Sequence, residues 1–330
     1  MTISSLRRNV LIIVCVVAGL ATLSYAWFRR DVAGAWERVA TGSRVVTTPC
    51  GPIEYAERGQ GPAVLVIHGA GGGFDQGMDL VGDGVEQAGF RVIAPSRFGY
   101  LRTPLPADAS VIAQARAHAC LLDALGLQRA AVIGVSAGGP SALQFALLFP
   151  QRTQALVLLV PAVFSLDPSH QPTARATPLS MFLFDTALRS DFLFWAGTRV
   201  APGLFTRGVL GTPPAVVQRA SAGERQRVTA MLDHVLPVSA RRSGLLNDAR
   251  VLSSLPGFDV ERVTAPTLAI SAADDGYGTF GCAQAAAARI PRARFIGYPD
   301  GGHLLVGHQS AAWAQVAAVL HDVAAPPAAR

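Results

Sequence analysis

A serine between two glycines is the residue in this chain best placed to act as a nucleophile. Gly134-Val135-Ser136-Ala137-Gly138 follows an apolar run and precedes a helical stretch. A serine on such a sharp strand-to-helix turn adopts strained backbone angles, and small neighbours avoid clashes there. The N-terminus of the following helix favours developing negative charge beside the hydroxyl. The same pattern also occurs in plain glycine-rich turns, so its position after a strand is what indicates chemistry.

A second glycine-rich loop follows an earlier apolar run. His68-Gly69-Ala70-Gly71-Gly72-Gly73 contains four glycines, which let backbone N–H groups approach a ligand oxygen. The N–H groups of Ala70 and Ala137 are therefore predicted to form an oxyanion hole. His68 itself is interpreted as a structural tether of the loop rather than as a catalytic group. No Gly-Lys-Ser/Thr follows the glycines, which argues against a phosphate-binding loop.

An acid and a base near the C-terminal end could complete a catalytic triad. Asp274 and Asp275 follow one late apolar run, and His303 follows two glycines after the next run. One helix and one strand are predicted between them, so both can reach the sheet edge that carries Ser136. From the residues alone, Asp274 stays open as an alternative acid and His308 as an alternative base.

The elements that must position these residues alternate between strands and helices. Apolar runs bounded by glycines are typical of strands buried on both faces of a parallel sheet. Strands are predicted at residues 44–48 and 53–58, as a hairpin, and at 63–67, 91–94, 130–135, 155–160, 267–271 and 294–298. Helices are predicted at residues 111–125, 141–149 and 311–323. This alternation implies right-handed crossovers and a layered α/β sheet.

The alternation breaks once, between residues 163 and 260, where the sequence has no clear strand. This segment holds proline-interrupted helical stretches with the aromatic residues Phe182, Phe184, Phe192, Phe194, Trp195 and Phe205. We interpret it as a helical insertion that rests on the sheet. Most of these aromatic side chains are expected to form the insertion's own core, and some to face the cleft below.

The order of these features resembles the α/β-hydrolase superfamily. The resemblance rests on the His-Gly loop, the Gly-x-Ser-x-Gly turn, an aspartate after a late strand and a Gly-His near the end. It implies an α/β-hydrolase fold, a mostly parallel sheet flanked by helices, built from residues 45–162 and 261–325. It also implies that residues 163–260 form a helical lid.

The resemblance further implies a role for each candidate residue. Ser136 would be the nucleophile, His303 the general base and Asp275 the orienting acid, with no metal or organic cofactor. The superfamily usually has Gly-x-x-Asp before the acid. Ala272 occupies that glycine position here, and the spacing points to Asp275.

The substrate expected from these features is an uncharged or amphipathic ester, because an apolar insertion covers the catalytic edge. We therefore predict carboxylesterase or lipase-like hydrolysis through an acyl-enzyme. A lactonase, a carbon–carbon bond hydrolase and a serine haloperoxidase would use the same triad and stay open. A non-catalytic, receptor-like binding module on the same fold is a further alternative, because fold does not fix function.

The first 30 residues differ from the rest of the chain because they contain a long apolar stretch. Residues 10–28 form a 19-residue stretch without charge, flanked on both sides by arginine pairs. About 20 apolar residues span a bilayer as a helix. We predict an uncleaved single-pass anchor in a bacterial inner membrane, with Trp27 and Phe28 at the interface, followed by a short linker. The alternative is a cleaved secretory signal ending at Ser24-Tyr25-Ala26, which would release a secreted or periplasmic domain.

Composition excludes several other classes. Hydrophobic residues make up 50% of the chain and charged residues 15%, which excludes a disordered chain. The net charge is +6, but basic residues cluster at most in pairs without interleaved aromatics, which argues against nucleic-acid binding. No Cys-x-x-Cys occurs, so no structural zinc site is predicted. A disulfide among Cys50, Cys120 and Cys282 stays open.

Overall fold

The computed structural model describes residues 3–163, 186, 188–255 and 257–324 of the chain. Its strands are β1 (Arg44–Thr48), β2 (Gly51–Arg58), β3 (Ala63–Ile67), β4 (Arg91–Pro95), β5 (Ala130–Val135), β6 (Thr153–Leu159), β7 (Thr267–Ala272) and β8 (Ala293–Tyr298). Its helices are α1 (Ile3–Thr41), α2 (Phe74–Gln87), α3 (Val111–Ala124), α4 (Gly139–Leu148), α5 (Asp191–Val200), α6 (Pro202–Leu210), α7 (Pro214–Arg219), α8 (Ala222–Asp233), α9 (Arg242–Leu252), α10 (Thr279–Arg289) and α11 (Gln309–Ala324).

Within these residues, the eight strands form one sheet in the order β1-β2-β4-β3-β5-β6-β7-β8. The pairs β1–β2 and β2–β4 are antiparallel, and the remaining pairs are parallel. Each predicted strand and core helix is present, with ends that differ by no more than two residues from the prediction. The predicted α/β class is thus confirmed.

Two hydrophobic cores lie on opposite faces of the sheet. Helices α3, α4 and α10 cover one face, and α2 and α11 cover the other. Every residue of β3 and β5 is buried, because helices pack on both sides of these central strands. Burial on two faces explains why the central strands have continuous apolar sequences rather than alternating ones.

The described part of the predicted insertion, between β6 and β7, consists of helices α5 to α9 and connecting turns. Its own core contains Phe194 and Trp195, and Phe205 packs against that core. These aromatic residues therefore stabilise the insertion, as expected. Phe182 and Phe184 lie outside the described residues, as does residue 325 of the predicted core domain.

Helix α1 corrects one expectation, since it runs without a break from Ile3 to Thr41. The linker predicted after residue 30 is helical instead, up to Thr41. Ala35 and Val39 lie four residues apart on one helical face and are buried against the domain. This packing continues the helix beyond the apolar stretch.

A disulfide links the turn between β1 and β2 to helix α3. It joins Cys50 to Cys120, which are 70 residues apart in the chain. The sequence left this pairing open because three cysteines could take part.

Candidate active site

Ser136 lies on a sharp turn between β5 and α4. Its φ is +50°, in the left-handed region that non-glycine residues rarely adopt. At Gly138, a Cβ atom would lie 2.4 Å from the carbonyl oxygen of Ile67, so this position requires glycine. The strained turn predicted from Gly-x-Ser-x-Gly is therefore present, and α4 follows it directly.

Asp275 and His303 form a hydrogen-bonded pair after β7 and β8. The Nδ1 atom of His303 lies 2.7 Å from Oδ2 of Asp275. The carboxylate also accepts hydrogen bonds from the backbone N–H of Tyr277, at 2.7 Å, and from the hydroxyl of Thr279. The Asp275 side chain is fully buried and that of His303 is 9% exposed. This arrangement holds the imidazole with Nε2 as the nitrogen able to accept a proton.

The two alternative residues have other partners. Asp274 accepts a hydrogen bond of 2.7 Å from the backbone N–H of Gly302 and so holds the loop that carries His303. The Nε2 atom of His308 lies 2.9 Å from Asp300, and its ring stacks on Tyr298. Among the described residues, no group of three or more His, Cys, Asp or Glu side chains could hold a metal ion.

Ser136 reaches the same edge of the sheet as the acid–base pair. It follows β5, and the sheet continues through β6 to β7 and β8, all parallel. Within the described residues, the Ser136 hydroxyl makes no hydrogen bond to His303. The structure thus joins acid to base and leaves the serine–histidine link open. Catalytic hydrogen bonds are often long without substrate and shorten in the complex.

The glycine-rich loop after β3 lies beside Ser136, and some of its backbone N–H groups have no acceptor within the described chain. The N–H of Gly69 donates to Gln76, at 2.9 Å, and that of Gly71 donates to the Tyr100 hydroxyl, at 3.2 Å. Between them, the N–H of Ala70 has no acceptor within the described chain. The loop lies against Ser136, since a Cβ on Gly69 would be 3.1 Å from the Ser136 Cβ.

Ala137 supplies a second backbone N–H at this place. It is the residue after Ser136, in the short 3-10 turn that precedes α4. The first N–H groups of a helical segment have no partner within the segment. The two residues predicted to form an oxyanion hole thus lie in the loop beside Ser136, for Ala70, and directly after Ser136, for Ala137.

His68 tethers the loop, as the sequence predicted. It is fully buried, with Nδ1 2.7 Å from the carbonyl oxygen of Gly69. Its Nε2 accepts a hydrogen bond of 2.9 Å from the backbone N–H of Arg97, which fixes the neutral tautomer. Burial, together with the Arg97 charge, holds the pKa of His68 well below its usual range.

A buried ion pair connects this tether to the insertion. Arg97 makes a two-pronged contact to Asp248 of α9, at 2.6 and 2.7 Å, and also donates to the carbonyl oxygens of His68 and Gly69. Burial lowers the pKa of Arg97, but the Asp248 carboxylate outweighs it and raises the pKa. The Tyr100 hydroxyl donates to the same carboxylate. No local sequence pattern indicates this network, because Arg97 and Asp248 lie 151 residues apart.

A second buried arginine ties the same loop to the insertion. Arg241 is fully buried and donates to the carbonyl oxygen of Gly72, at 2.6 Å, and to both carboxylate oxygens of Asp75. Burial raises the pKa of Asp75, but Arg241 outweighs it, so the pKa lies below its usual range. In the sequence, only the arginine pair at 241–242 marked this position, and nothing in it indicated burial.

The insertion also holds the loops of the acid and the base. The carbonyl oxygen of Gly211, directly after α6, accepts hydrogen bonds from the N–H groups of Gly276, at 2.8 Å, and His303, at 3.2 Å. The hydroxyl of Thr212 accepts a hydrogen bond of 3.2 Å from the N–H of Leu304. One short segment therefore positions both loops.

Known proteins share this fold and this order of elements. A family model described as alpha/beta hydrolase fold matches residues 62–307. The chain is 30% identical over 262 residues to a protein of Variovorax paradoxus named as the carbamate hydrolase RutD, covering 76% of this chain and 89% of that protein. A solved α/β-hydrolase fold protein from Nakamurella multipartita superposes with a TM-score of 0.65 at 26% identity, covering 86% of this chain and 99% of that one.

Another relative matches a shorter region. The chain is 32% identical over 179 residues to a 2-hydroxy-6-oxo-6-phenylhexa-2,4-dienoate hydrolase of Burkholderia cepacia, which is 46% of this chain and 61% of that enzyme. Across this and three further curated relatives, the match spans between 39% and 61% of the relative's length. With the family model matching residues 62–307, which is most of the chain, this protein belongs to the α/β-hydrolase family.

Proposed function

We propose that this protein is a serine hydrolase whose nucleophile is Ser136, with His303 as general base and Asp275 as orienting acid. The observation that supports this most is the buried hydrogen bond of 2.7 Å between Asp275 and His303, at the sheet edge where the strained Ser136 turn lies. A serine hydroxyl is a poor nucleophile at neutral pH and needs such a base.

The mechanism follows from these positions. His303 removes the proton of Ser136, and the hydroxyl oxygen attacks the substrate carbonyl carbon. The N–H groups of Ala70 and Ala137 stabilise the resulting oxyanion, and one such donor contributes roughly 10²–10³-fold in rate. His303 then returns the proton to the leaving group, and water hydrolyses the acyl-enzyme. Asp275 keeps the imidazole in the required tautomer and stabilises its charged form.

The proposed substrate is an apolar or amphipathic carboxylic ester. Support comes from residues 163–260, which we propose as a lid and whose described part has an apolar core that contains Phe194 and Trp195. A carbon–carbon bond hydrolase is the second candidate, favoured by the 32% identity to the oxo-dienoate hydrolase of Burkholderia cepacia. The similarity to RutD adds carbamates to the substrates worth testing.

The proposed location is a membrane, through α1. Among the described helices, α1 is the one long and apolar enough to cross a bilayer, with a mean hydropathy of 2.3 in its most apolar window and none of that window buried. A signal sequence has the same properties, so cleavage and secretion remain the alternative. The Cys50–Cys120 disulfide supports a domain outside the cytoplasm, because disulfides persist in oxidising compartments.

Labelling with a fluorophosphonate probe tests the nucleophile. The wild-type protein should label and the Ser136→Ala variant should not, while Ser141→Ala, a buried serine on α4 outside the proposed triad, serves as the control. A folded wild-type sample without labelling would favour the receptor-like alternative. A panel of esters, lactones, carbamates and oxo-dienoates of graded chain length then identifies the bond that is cleaved, and a peroxide-dependent halogenation assay tests the haloperoxidase alternative.

A further inference from the structure

Helix α5 of the insertion packs against α1 at the end of the apolar stretch. The rings of Trp27 and Trp195 meet edge-on with centroids 5.7 Å apart, and those of Phe28 and Phe192 do so at 5.1 Å. One turn further along α1, the carboxylate of Asp31 accepts a hydrogen bond of 2.9 Å from the indole N–H of Trp195. These contacts fix α5 at the level where α1 changes from apolar to polar.

The outer side of α5 and α6 exposes large apolar side chains beside this junction. Phe192 is 39% exposed, Leu193 43%, Val200 85% and Leu204 70%. Leu193 and Val200 are seven residues apart on α5 and lie on the same helical stripe. We call these four residues the apolar rim. Large apolar side chains that stay exposed near one another on a folded domain are typical of an interaction site.

Positive charge accompanies the apolar rim. Arg207 is exposed on α6, one turn beyond Leu204, and Arg29 and Arg30 are exposed at the end of the apolar stretch of α1. Helices that lie in a membrane interface combine an apolar face with arginines able to meet anionic headgroups. This composition fits a lipid surface better than a second protein copy, because the rim continues directly from a helix whose own apolar stretch is fully exposed.

We propose that the apolar rim docks into the headgroup region of the same bilayer leaflet that α1 enters, an inference that rests on the proposed membrane anchor. The rim then lies in the membrane interface, which takes up amphipathic helices to a depth of about 5–10 Å. Helix α6 ends at Leu210, and the next residue, Gly211, holds the loops of Asp275 and His303. The docked rim therefore places the candidate site close to the bilayer surface, where amphipathic lipid esters reside.

Depth measurements with a fluorescent label test this docking in the full chain reconstituted in phospholipid vesicles. In a Cys15→Ala, Cys282→Ala background that keeps the Cys50–Cys120 disulfide, single cysteines replace Leu193 or Leu204 and carry an NBD fluorophore. Lipids with a doxyl group near the headgroup quench fluorophores at that depth. We expect both labels to be quenched at least about threefold more than a label on the control Leu148→Cys variant.

Leu148 is a matched control because it is 38% exposed and ends α4, a ten-residue helix that leads away from the candidate site. A label on a Val17→Cys variant lies near the middle of the apolar stretch, so lipids with a doxyl group deep in the acyl chain quench it and report the anchor separately. Quenching at Val17 with control-level quenching at the rim would overturn the docking and leave the anchor standing. No quenching at Val17 would remove the anchor and the docking together. A blue-shifted but unquenched rim label would show burial against protein and would also overturn the docking.

Discussion

Asp275 accepts three hydrogen bonds inside a buried turn, and this explains how a charged carboxylate can stay beneath the His303 ring. The donors are the Tyr277 N–H, the Thr279 hydroxyl and the imidazole itself. A buried charge is tolerated when its oxygens are satisfied in this way. The neighbouring Asp274 instead accepts a hydrogen bond from the backbone N–H of Gly302.

Replacement of the base is the first prediction. In the His303→Ala variant, kcat for short p-nitrophenyl esters should fall by at least about 10³-fold, because the serine loses its proton acceptor. His308→Ala is the control and should retain activity, since His308 contacts Asp300 and Tyr298. Steady-state kinetics together with circular dichroism measures both effects. Loss of activity in His308→Ala alone would assign the base to the other histidine.

Replacement of the acid gives the second prediction. Asp275→Asn should lower kcat by about 10³–10⁴-fold, because an amide favours the wrong imidazole tautomer. Asp274→Asn should have a much smaller effect, through the loop that it holds. Comparing the two variants under the same conditions tests the assignment, and the reverse ranking would move the acid by one position.

At the scale of elements, the helical insertion is attached to the core through buried charges rather than through apolar packing alone. Arg97 and Asp248 join the loop after β4 to α9, and Arg241 and Asp75 join the segment before α9 to the start of α2. Both pairs also hold carbonyl oxygens of the glycine-rich loop. The insertion and the proposed oxyanion hole are therefore mechanically linked.

Breaking one of these pairs is the third prediction. Asp248→Asn leaves the Arg97 charge buried without its counter-ion and should lower the free energy of unfolding by about 3–5 kcal/mol. Asp259→Asn removes the partner of Arg262 in an exposed pair and should cost less than about 1 kcal/mol. Urea denaturation measures both variants. Equal, small losses would mean that the buried pair contributes little.

A second buried histidine, His118, lies between α3 and α4 and leads to a prediction of how stability depends on pH. Burial lowers the pKa of His118 to about 3, with a smaller contribution from Arg97, and Nε2 lies 3.3 Å from the hydroxyl of Ser141. Because the pKa of His118 is lower in the folded protein than in the unfolded chain, the imidazole takes up a proton at a higher pH when the chain is unfolded. The stability contribution is complete above about pH 6.5 and is lost as the pH falls toward 3.

This loss should amount to about 1.4 kcal/mol per pH unit between pH 6 and 4 for His118, and His68 should add a loss of the same sign. Urea denaturation at pH 5.5 and 4.5 measures the slope. The His118→Gln variant should have a slope that is smaller by about 1.4 kcal/mol per pH unit, which corresponds to one proton. An unchanged slope would show that His118 is already protonated in the folded protein.

At the scale of the whole molecule, one helix joins a proposed bilayer-spanning segment to the catalytic domain without a linker. Ala35 contributes to the insertion core and Val39 to the core beneath α2 and α11. Arg38 donates to the carbonyl oxygen of Leu236 in the insertion, at 2.6 Å. The domain therefore has a fixed orientation relative to α1, which a flexible tether would not provide.

The compartment of the domain gives a prediction at this scale. If the domain faces an oxidising compartment, maleimide–polyethylene glycol should modify two cysteines per denatured chain before reduction, Cys15 and Cys282, and four after it. Gel mobility of the protein extracted from its native membrane reads out the number. Four modified cysteines before reduction would place the domain in a reducing compartment.

The sequence by itself determined the α/β core and indicated the candidate triad, because both predictions start from local signals. Apolar runs of strand length identify buried strands, and a serine between glycines identifies the turn that only small residues permit. The resemblance favoured Asp275 over Asp274 through spacing, and the contact with His303 agrees. The apolar stretch near the N-terminus likewise identified the proposed anchor by length and composition.

Only the tertiary structure decided which distant groups meet. The contacts of Arg97 with Asp248, of Arg241 with Asp75 and of Trp195 with α1 join residues more than 150 positions apart. A local pattern gives no sign of such partners, because an arginine destined for burial has the same neighbours as one that faces water. Likewise, the packing of Ala35 and Val39 extended α1 to Thr41, where the sequence predicted a linker. Burial and charge pairing are properties of the folded chain, so they set the position of the insertion and of the proposed membrane-facing side.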